Sequence, residues 1–169
     1  MIPLKHCLNW DGLATLPALG LETIMRAAVA GLRDQARALR GGEPFYIPAV
    51  ALPGSLGIIT KEEVRSDWTA ILEQSVDVQW VNRVAARVAL RMGLYRPGLK
   101  AAKLPCPALF SIADKDSVVP AGRTAKLAAR GPRNEIKHYP VRHFEIYVGE
   151  EWERAVADQT EFLVRTLKP

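Results

Sequence analysis

The chain has 169 residues, of which 49% are hydrophobic and 24% charged, and its formal net charge is +5. This length fits one domain with a sizeable core, and the composition excludes a generally disordered chain. The 23 lysines and arginines are scattered along the chain rather than clustered, so we expect no nucleic-acid partner.

The cysteine spacing and the hydropathy indicate the cellular compartment. Cys7 and Cys106 lie far apart and have no histidines or further cysteines at metal-binding spacing. This predicts neither a disulfide framework nor a zinc site, and it fits a reducing cytoplasm. No window reaches the roughly 18 apolar residues of a membrane span, and the N-terminus carries no signal-peptide pattern. We therefore expect a cytoplasmic protein with no membrane partner.

The first half of the chain begins with a helical pattern. Apolar residues recur at helical spacing from Leu19 to Arg40, and Gly41 and Gly42 follow as a stop signal, which predicts one long helix. The segment from Phe45 to Leu56 lies among several prolines and glycines. That composition suits an extended connection better than a central strand.

Two more helices are predicted before a turn. Thr60, with Glu63 three positions on, forms a capping-box signature for a helix that runs to about Gln74. The residues from Val78 to Met92 place apolar side chains on one face and predict an amphipathic helix. Arg96-Pro97-Gly98 is a turn signal that ends this helical half.

The pattern changes after residue 103. Pro107 to Ala113 predicts a short buried strand, Pro120 to Arg130 a helix, Glu135 to Tyr139 a second strand and Trp152 to Leu167 a closing helix. This alternation indicates a parallel βαβ unit followed by a helix, and therefore the α/β class.

Asp116 and His143 are the candidate functional residues. Each follows one of the two predicted strands, and 27 residues separate them, about the size of one βαβ unit. The carboxyl ends of parallel strands meet at one sheet edge, where a carboxylate can orient an imidazole for general-base chemistry. Asp114 is a rival for the acid. Structural roles remain open for both residues, since an Asp in a turn often caps a helix and a His beside aromatic residues often packs.

At this point the sequence resembles the C-terminal part of the α/β-hydrolase superfamily. The segments CPALFSIADKDSVVP and EIKHYPVRHFEIYVGEEWERAVADQTEFLVRTL are similar to its acid-bearing strand and turn and to its final strand, histidine loop and last helix. Upstream, NWDGLATL, YIPAVALPG and VNRVAARVALRMGLYRPG resemble the helical cap of a bacterial subgroup. The resemblance implies a partial α/β-hydrolase fold: a helical cap-like region over residues 1–100, then a βαβ-α part of the hydrolase core over residues 101–169.

The resemblance also implies roles. Asp116 takes the place of the triad acid and His143 that of the base, in an enzyme that hydrolyses a small-molecule ester or amide and needs no cofactor. No G-x-S-x-G nucleophile elbow occurs in the sequence. The nearest match is Pro53-Gly54-Ser55-Leu56-Gly57, in which a proline replaces the first glycine. We therefore interpret Ser55 as a serine in a loop rather than as a nucleophile. Cys106 precedes a buried strand and reads as a small apolar residue.

Several other residues receive no assigned role. His6 and His138 have no partner suggested by spacing, and Cys7 has no elbow around it. Trp68, Trp80 and Met92 are candidates to line a pocket, although aromatic residues and methionines at helical spacing more often lie in a core.

The missing elbow leads to three hypotheses. In the first, the chain is a truncated hydrolase that carries only the acid and the base, and its exposed sheet edge promotes self-association or docking with a missing half. In the second, it is a non-catalytic binding or assembly module derived from a hydrolase. In the third, a minor alternative, it is a self-contained hydrolase that uses Ser55.

Overall fold

The computed structural model describes residues 20–74, 79–92 and 94–167. Their contacts divide them into two units, one ending at Tyr95 and the other beginning at Arg96. The predicted division at residue 100 stays a prediction. Within the described ranges, no helix combines the length and the apolar character that crossing a membrane would require.

The first unit is built on α1, Leu21–Leu39, which confirms the long predicted helix. Gly41 ends the helix with a φ of 70°, a conformation that favours glycine. Gly31 lies on the buried face of α1, where a Cβ atom would come within 2.8 Å of Leu90 Cγ. Glycine therefore permits the close approach of the following helical segment.

A two-stranded antiparallel ribbon packs beside α1. β1, Tyr46–Ile47, pairs with β2, Val84–Ala85. β2 continues into a 3-10 turn, Ala86–Val88, and the short helix α3, Ala89–Met92. The predicted connection therefore holds except for β1 and for Val50, which forms an isolated bridge with Ile59.

The predicted helix from Val78 to Met92 is wrong for most of its length. The Ala86 N–H donates to the Phe45 carbonyl at 2.9 Å, and the Arg87 N–H donates to Asp34 at 2.9 Å. In a helix these donors would bond carbonyls four residues back. Here both N–H groups donate to residues about 40 to 50 positions away in the chain. An apolar pattern within one segment contains no information about such distant acceptors.

α2, Glu62–Gln74, confirms the second predicted helix, and its first turn carries Glu62 and Glu63. Acidic side chains there complement the positive end of the helix dipole. Trp68 on α2 meets Trp80 edge to face, with ring centroids 5.2 Å apart. The two indoles thus join α2 to the segment that leads into β2.

The second unit is a parallel βαβ-α arrangement, as predicted. A 3-10 segment, Pro97–Lys103, takes the place of the predicted turn. The elements after it are β3, Ala108–Ala113; α4, Ala121–Ala128; β4, Asn134–Tyr139; and α5, Gly149–Leu167. β3 and β4 pair in parallel, from Ala108 opposite Asn134 to Ala113 opposite Tyr139.

The two faces of this small sheet are covered differently. Phe110 and Ile112 of β3 pack with Ala128 of α4 in an apolar cluster. On the other face the hydroxyl of the fully buried Tyr139 donates to Asp158 of α5 at 2.8 Å. Lys137 also donates to Asp158, at 3.0 Å, and these two donors lower the pKa of that carboxyl. A helix on each face is the layered arrangement of the α/β class.

Asp34 ties the first unit together. Its buried carboxylate accepts from the Phe45 N–H at 2.7 Å, and from the Arg87 N–H and Nε at 2.9 and 2.7 Å. The hydrogen bond from the Arg87 side chain is the main reason that the pKa of Asp34 falls to about 2 from its usual 3.8. One side chain thus joins α1, the start of β1 and the turn after β2.

We predict that Asp34→Asn destabilises the protein at pH 7 and flattens its acid unfolding. A carboxyl whose pKa is depressed in the folded state contributes stability above the unfolded pKa and loses it as pH falls. The wild type should therefore lose this contribution between about pH 4 and pH 2. Urea unfolding across that range, with the exposed Glu43→Gln as the control variant, measures it. An unchanged pH dependence in Asp34→Asn would contradict the assignment.

Candidate active site

The ends of β3 and β4 bring the two predicted loops together. Because Ala113 lies opposite Tyr139, the chain leaves both strands at the same edge. Two further backbone bonds continue the pairing: the Asp114 N–H donates to the Tyr139 carbonyl at 2.8 Å, and the Lys115 N–H to Val141 at 3.0 Å. The acidic turn therefore lies directly beside the histidine loop.

Asp116 and His143 form a hydrogen-bonded pair in this position. Asp116 Oδ2 lies 2.7 Å from His143 Nδ1, and the two side chains are only 11% and 15% exposed. Asp116 Oδ1 accepts from the backbone N–H groups of Val118 and Val119 at 2.8 and 2.7 Å. The carboxylate is thus fixed by the turn that carries it, and it orients the ring.

The pair has the geometry of an acid and a general base. A carboxylate can only accept, so Nδ1 donates and the neutral ring keeps its lone pair on Nε2. An imidazole held this way can take a proton from a nucleophile and return it to a leaving group. The helix-capping role considered for Asp116 is not observed: its other oxygen bonds Val118 and Val119 in the turn, and the N-cap of α4, Pro120, has no side-chain cap.

Asp114, the rival acid, pairs with a different histidine. Its Oδ1 lies 2.6 Å from His138 Nδ1, and these side chains are 44% and 51% exposed. Asp114 continues the face of Ile112, the β3 residue opposite His138, because alternate residues of a strand share a face. This pair was not predicted from the sequence. Alternation along each strand indicates which residues share a face, but the register between the two strands brings Asp114 beside His138.

The histidine loop is held by its own polar contacts. The Arg142 N–H donates to Glu145 Oε2 at 2.7 Å, and Arg142 Nε donates to Oε1 at 2.9 Å. The backbone bond is the main reason that the pKa of Glu145 lies below its usual value. These Arg142–Glu145 hydrogen bonds stabilise the turn in which His143 lies.

Aromatic side chains extend from His143 along the surface. Phe144 meets the His143 ring edge to face at 4.6 Å between centroids, and Tyr147 and Trp152 follow at 6.3 and 6.5 Å steps. Burial, and to a lesser extent the charge of Asp116, raises the pKa of Tyr147. Tyr147 and Trp152 remain partly exposed, so apolar surface adjoins the base.

The remaining candidates receive less support. The Ser55 hydroxyl donates to the Leu52 carbonyl at 2.6 Å within a loop between β1 and α2, which is not a strand-to-helix elbow. Cys106 is exposed just before β3. His6 and Cys7 lie outside the described residues.

The three candidate pocket residues do not all line the same cleft. Trp68 and Trp80 border one open cleft of the first unit, together with Pro48 and Leu72. Met92 lies in α3 and is not among the residues that line it. An open cleft beside two tryptophans does not by itself define a ligand site.

Comparisons with known proteins identify the fold. The chain is 35% identical over 162 residues to "Quorum-quenching protein AidA" of Acinetobacter baumannii (strain MDR-ZJ06), covering 96% of this chain and 53% of that protein. Over 76 residues it is 36% identical to an uncharacterized 31.7 kDa protein in the traX-finO intergenic region of Escherichia coli, covering 43% of this chain and 27% of that protein. No protein-family model matches the sequence.

Two solved structures are similar to the chain. The α/β hydrolase GrgF from Penicillium sp. sh18 superposes with a TM-score of 0.65 at 20% identity, over 86% of this chain and 50% of that one. DcsB, in complex with its substrate analogue, superposes with a TM-score of 0.62 at 18% identity, over 89% of this chain and 53% of that one.

These similarities confirm the resemblance to α/β hydrolases at the level of the fold. The chain has a partial α/β-hydrolase fold. It spans about half the length of the Acinetobacter relative and about half of each solved structure. The fold alone does not specify a reaction, which must be argued from the site.

We predict that neutral His143 carries its proton on Nδ1. In Asp116→Asn the amide oxygen can keep the two turn hydrogen bonds, but the amide NH2 then faces Nδ1 and favours the opposite tautomer. Nitrogen-15 NMR of the imidazole rings reads the tautomer directly. His138 is the internal control and should not change. A wild-type His143 protonated on Nε2 would contradict the predicted orientation.

Proposed function

We propose that Asp116 and His143 are the acid and base of a nucleophile-His-Asp triad that hydrolyses an ester or amide bond. The observation that carries the proposal is the 2.7 Å bond between two shielded side chains that follow adjacent parallel strands. Their order along the chain, acid before histidine, matches the order in α/β hydrolases.

The nucleophile and the oxyanion hole belong, in this proposal, to polypeptide outside these 169 residues. The sequence contains no G-x-S-x-G elbow, and Ser55 sits in a loop with its hydroxyl bonded to a neighbouring carbonyl. The Acinetobacter relative extends to almost twice the aligned length. A segment equivalent to its remaining half is the natural source of the missing groups.

The reaction would proceed through an acyl-enzyme. The nucleophile's hydroxyl attacks the substrate carbonyl while its proton moves to His143 Nε2, and the tetrahedral oxyanion forms. The imidazolium, stabilised by Asp116, then gives that proton to the leaving alcohol or amine as the bond to it breaks. In the second half, water attacks the acyl group, His143 takes its proton, and release of the carboxylic acid returns the proton to the nucleophile.

The choice of substrates to test follows from chemistry and from one relative. Activated esters report acyl transfer without requiring a specific pocket. Quorum-sensing signal molecules come next, because the relative that matches 96% of this chain carries the name "Quorum-quenching protein AidA".

A second candidate function is a non-catalytic binding or assembly module. The absent elbow favours it, because an acid and a base without a nucleophile complete no acyl transfer. Under this alternative the chain binds a partner but no form of the protein hydrolyses an ester.

We predict that His143→Ala lowers kcat for an activated ester by about 10³-fold or more, and Asp116→Asn by about 10²- to 10⁴-fold. The assay uses the chain translated together with its upstream reading frame, which should encode a G-x-S-x-G elbow. His138→Ala is the matched control, because its side chain also forms a short bond, 2.6 Å, with a partly exposed carboxylate. It should leave kcat within about twofold of the wild type.

Other outcomes separate the alternatives. Unrelated upstream sequence with no hydrolysis favours the non-catalytic module. Hydrolysis that survives His143→Ala overturns the triad. A larger loss from Asp114→Asn than from Asp116→Asn assigns the acid role to the rival residue. Hydrolysis by the 169-residue chain alone that is lost in Ser55→Ala would overturn an external nucleophile.

A further inference from the structure

Two contacts hold the backbone on either side of His143. Before it, the Lys115 N–H donates to the Val141 carbonyl at 3.0 Å and joins the histidine loop to the acidic turn. After it, the Glu145 side chain turns back and accepts from the Arg142 N–H at 2.7 Å. His143 therefore lies inside a short closed loop that the Glu145 carboxylate completes.

The bond between Glu145 and the Arg142 N–H has the spacing of one half of a capping box. In that motif a glutamate reaches back three residues and accepts the backbone N–H of the N-cap residue. Glu145 begins a 3-10 turn, Glu145–Tyr147, and its acceptor oxygen serves a donor three residues earlier. Here the contact fixes a stretch of backbone that carries an imidazole between donor and acceptor.

Asp116 and Glu145 restrain different parts of the histidine. The 2.7 Å bond from His143 Nδ1 to Asp116 fixes the rotation of the ring. It leaves the position of the backbone to the loop, and the Glu145 bond restrains the residue directly before His143. Placement matters because a displacement of about 1 Å in a reacting group can cost about 10²-fold in rate.

The Glu145 carboxylate also interacts with the acidic turn. The Arg142 N–H bond lowers the pKa of Glu145 most, and the Arg142 side chain and the positive charge of Lys115 lower it further. Lys115 directly precedes Asp116 in the chain. One carboxylate thus interacts with both loops that carry the acid-histidine pair.

Stability is a weak reason for this contact. The Arg142 and Glu145 side chains are 41% and 37% exposed, and water screens an ion pair at such exposure. A closely similar pair lies at the other end of β4, where Arg165 donates twice to Glu135 and the glutamate is 38% exposed. The two pairs differ in location and in the backbone N–H that Glu145 binds.

We propose that Glu145 is a positioning residue for His143, which it holds in place through the backbone of Arg142. Glu145 does not touch the reacting atoms, and it acts only through the histidine loop. The catalytic consequence rests on the proposed function, whereas the effect on the ring can be measured in the 169-residue chain.

The first test measures the imidazole by NMR in the 169-residue chain. In Glu145→Ala we expect the Nδ1 proton of His143 to exchange with water at least about tenfold faster, because the loop opens more often. Glu135→Ala is the matched control, since it removes an equally exposed ion pair, and it should leave the rate within about twofold. His138 is the internal control. An unchanged rate in Glu145→Ala would overturn the proposal.

Three further variants separate the backbone bond from the ion pair. Arg142→Ala removes the guanidinium but keeps the N–H that Glu145 accepts, so its exchange rate should stay near that of the wild type. Glu145→Gln keeps one acceptor and should recover most of the protection. Glu145→Met keeps the side-chain length without an acceptor, and it replaces Glu145→Ala if urea unfolding shows the alanine variant to be unfolded. An equal loss of protection in Arg142→Ala would overturn the role of the backbone bond.

The last test is kinetic and uses the chain translated with its upstream reading frame. Glu145→Ala should lower kcat for an activated ester by about 10- to 100-fold and leave KM within about twofold. An unchanged kcat, in a protein that His143→Ala inactivates, would overturn the positioning role and leave the triad intact. Faster proton exchange in a protein that hydrolyses no ester would support the positioning of the ring and count against the proposed function.

Discussion

The parallel pairing of β3 with β4 is the constraint on which the candidate site depends. Neither six-residue strand is stable alone, and the pair is held because α4 covers one face and α5 the other. The register then decides which residues meet beyond the strands. Since Ala113 lies opposite Tyr139, the acidic turn and the histidine loop begin at the same level. A slip of one residue would move the side chains of one strand to the opposite face of the sheet and would shift its loop away from its partner's.

Asp116 connects the local structure of the turn to the chemistry of the ring. One oxygen satisfies two backbone N–H groups that the turn leaves open, and the other bonds His143. The structural and the functional interpretation of an aspartate at this position are therefore not alternatives. Because the turn fixes the carboxylate, the imidazole is held by an acceptor that loses little conformational entropy when the bond forms.

The sequence predicts the second unit well because its signals are local. Each strand and each helix shows its own apolar pattern, and a proline marks the start of α4. The first unit depends on a non-local interaction: Asp34 of α1 binds backbone and side chain of Arg87, and Ala86 bonds Phe45. Those bonds replace the helix that the apolar spacing between Val78 and Met92 predicts. The His138–Asp114 pair was missed because it depends on strand register, which a single-strand pattern does not contain.

The two acid-histidine pairs at this sheet edge show why bond length alone is weak evidence for a catalytic role. The Asp114–His138 bond is the shorter, yet both of its side chains are about half exposed, where water screens the interaction. The Asp116–His143 pair is shielded from solvent. Taking a carboxylate and an imidazole out of water is unfavourable, and an apolar pair of the same volume often stabilises a protein as well or better. Stability therefore gives little reason for a shielded polar pair, whereas general-base catalysis requires an imidazole that is held in one tautomer and one orientation.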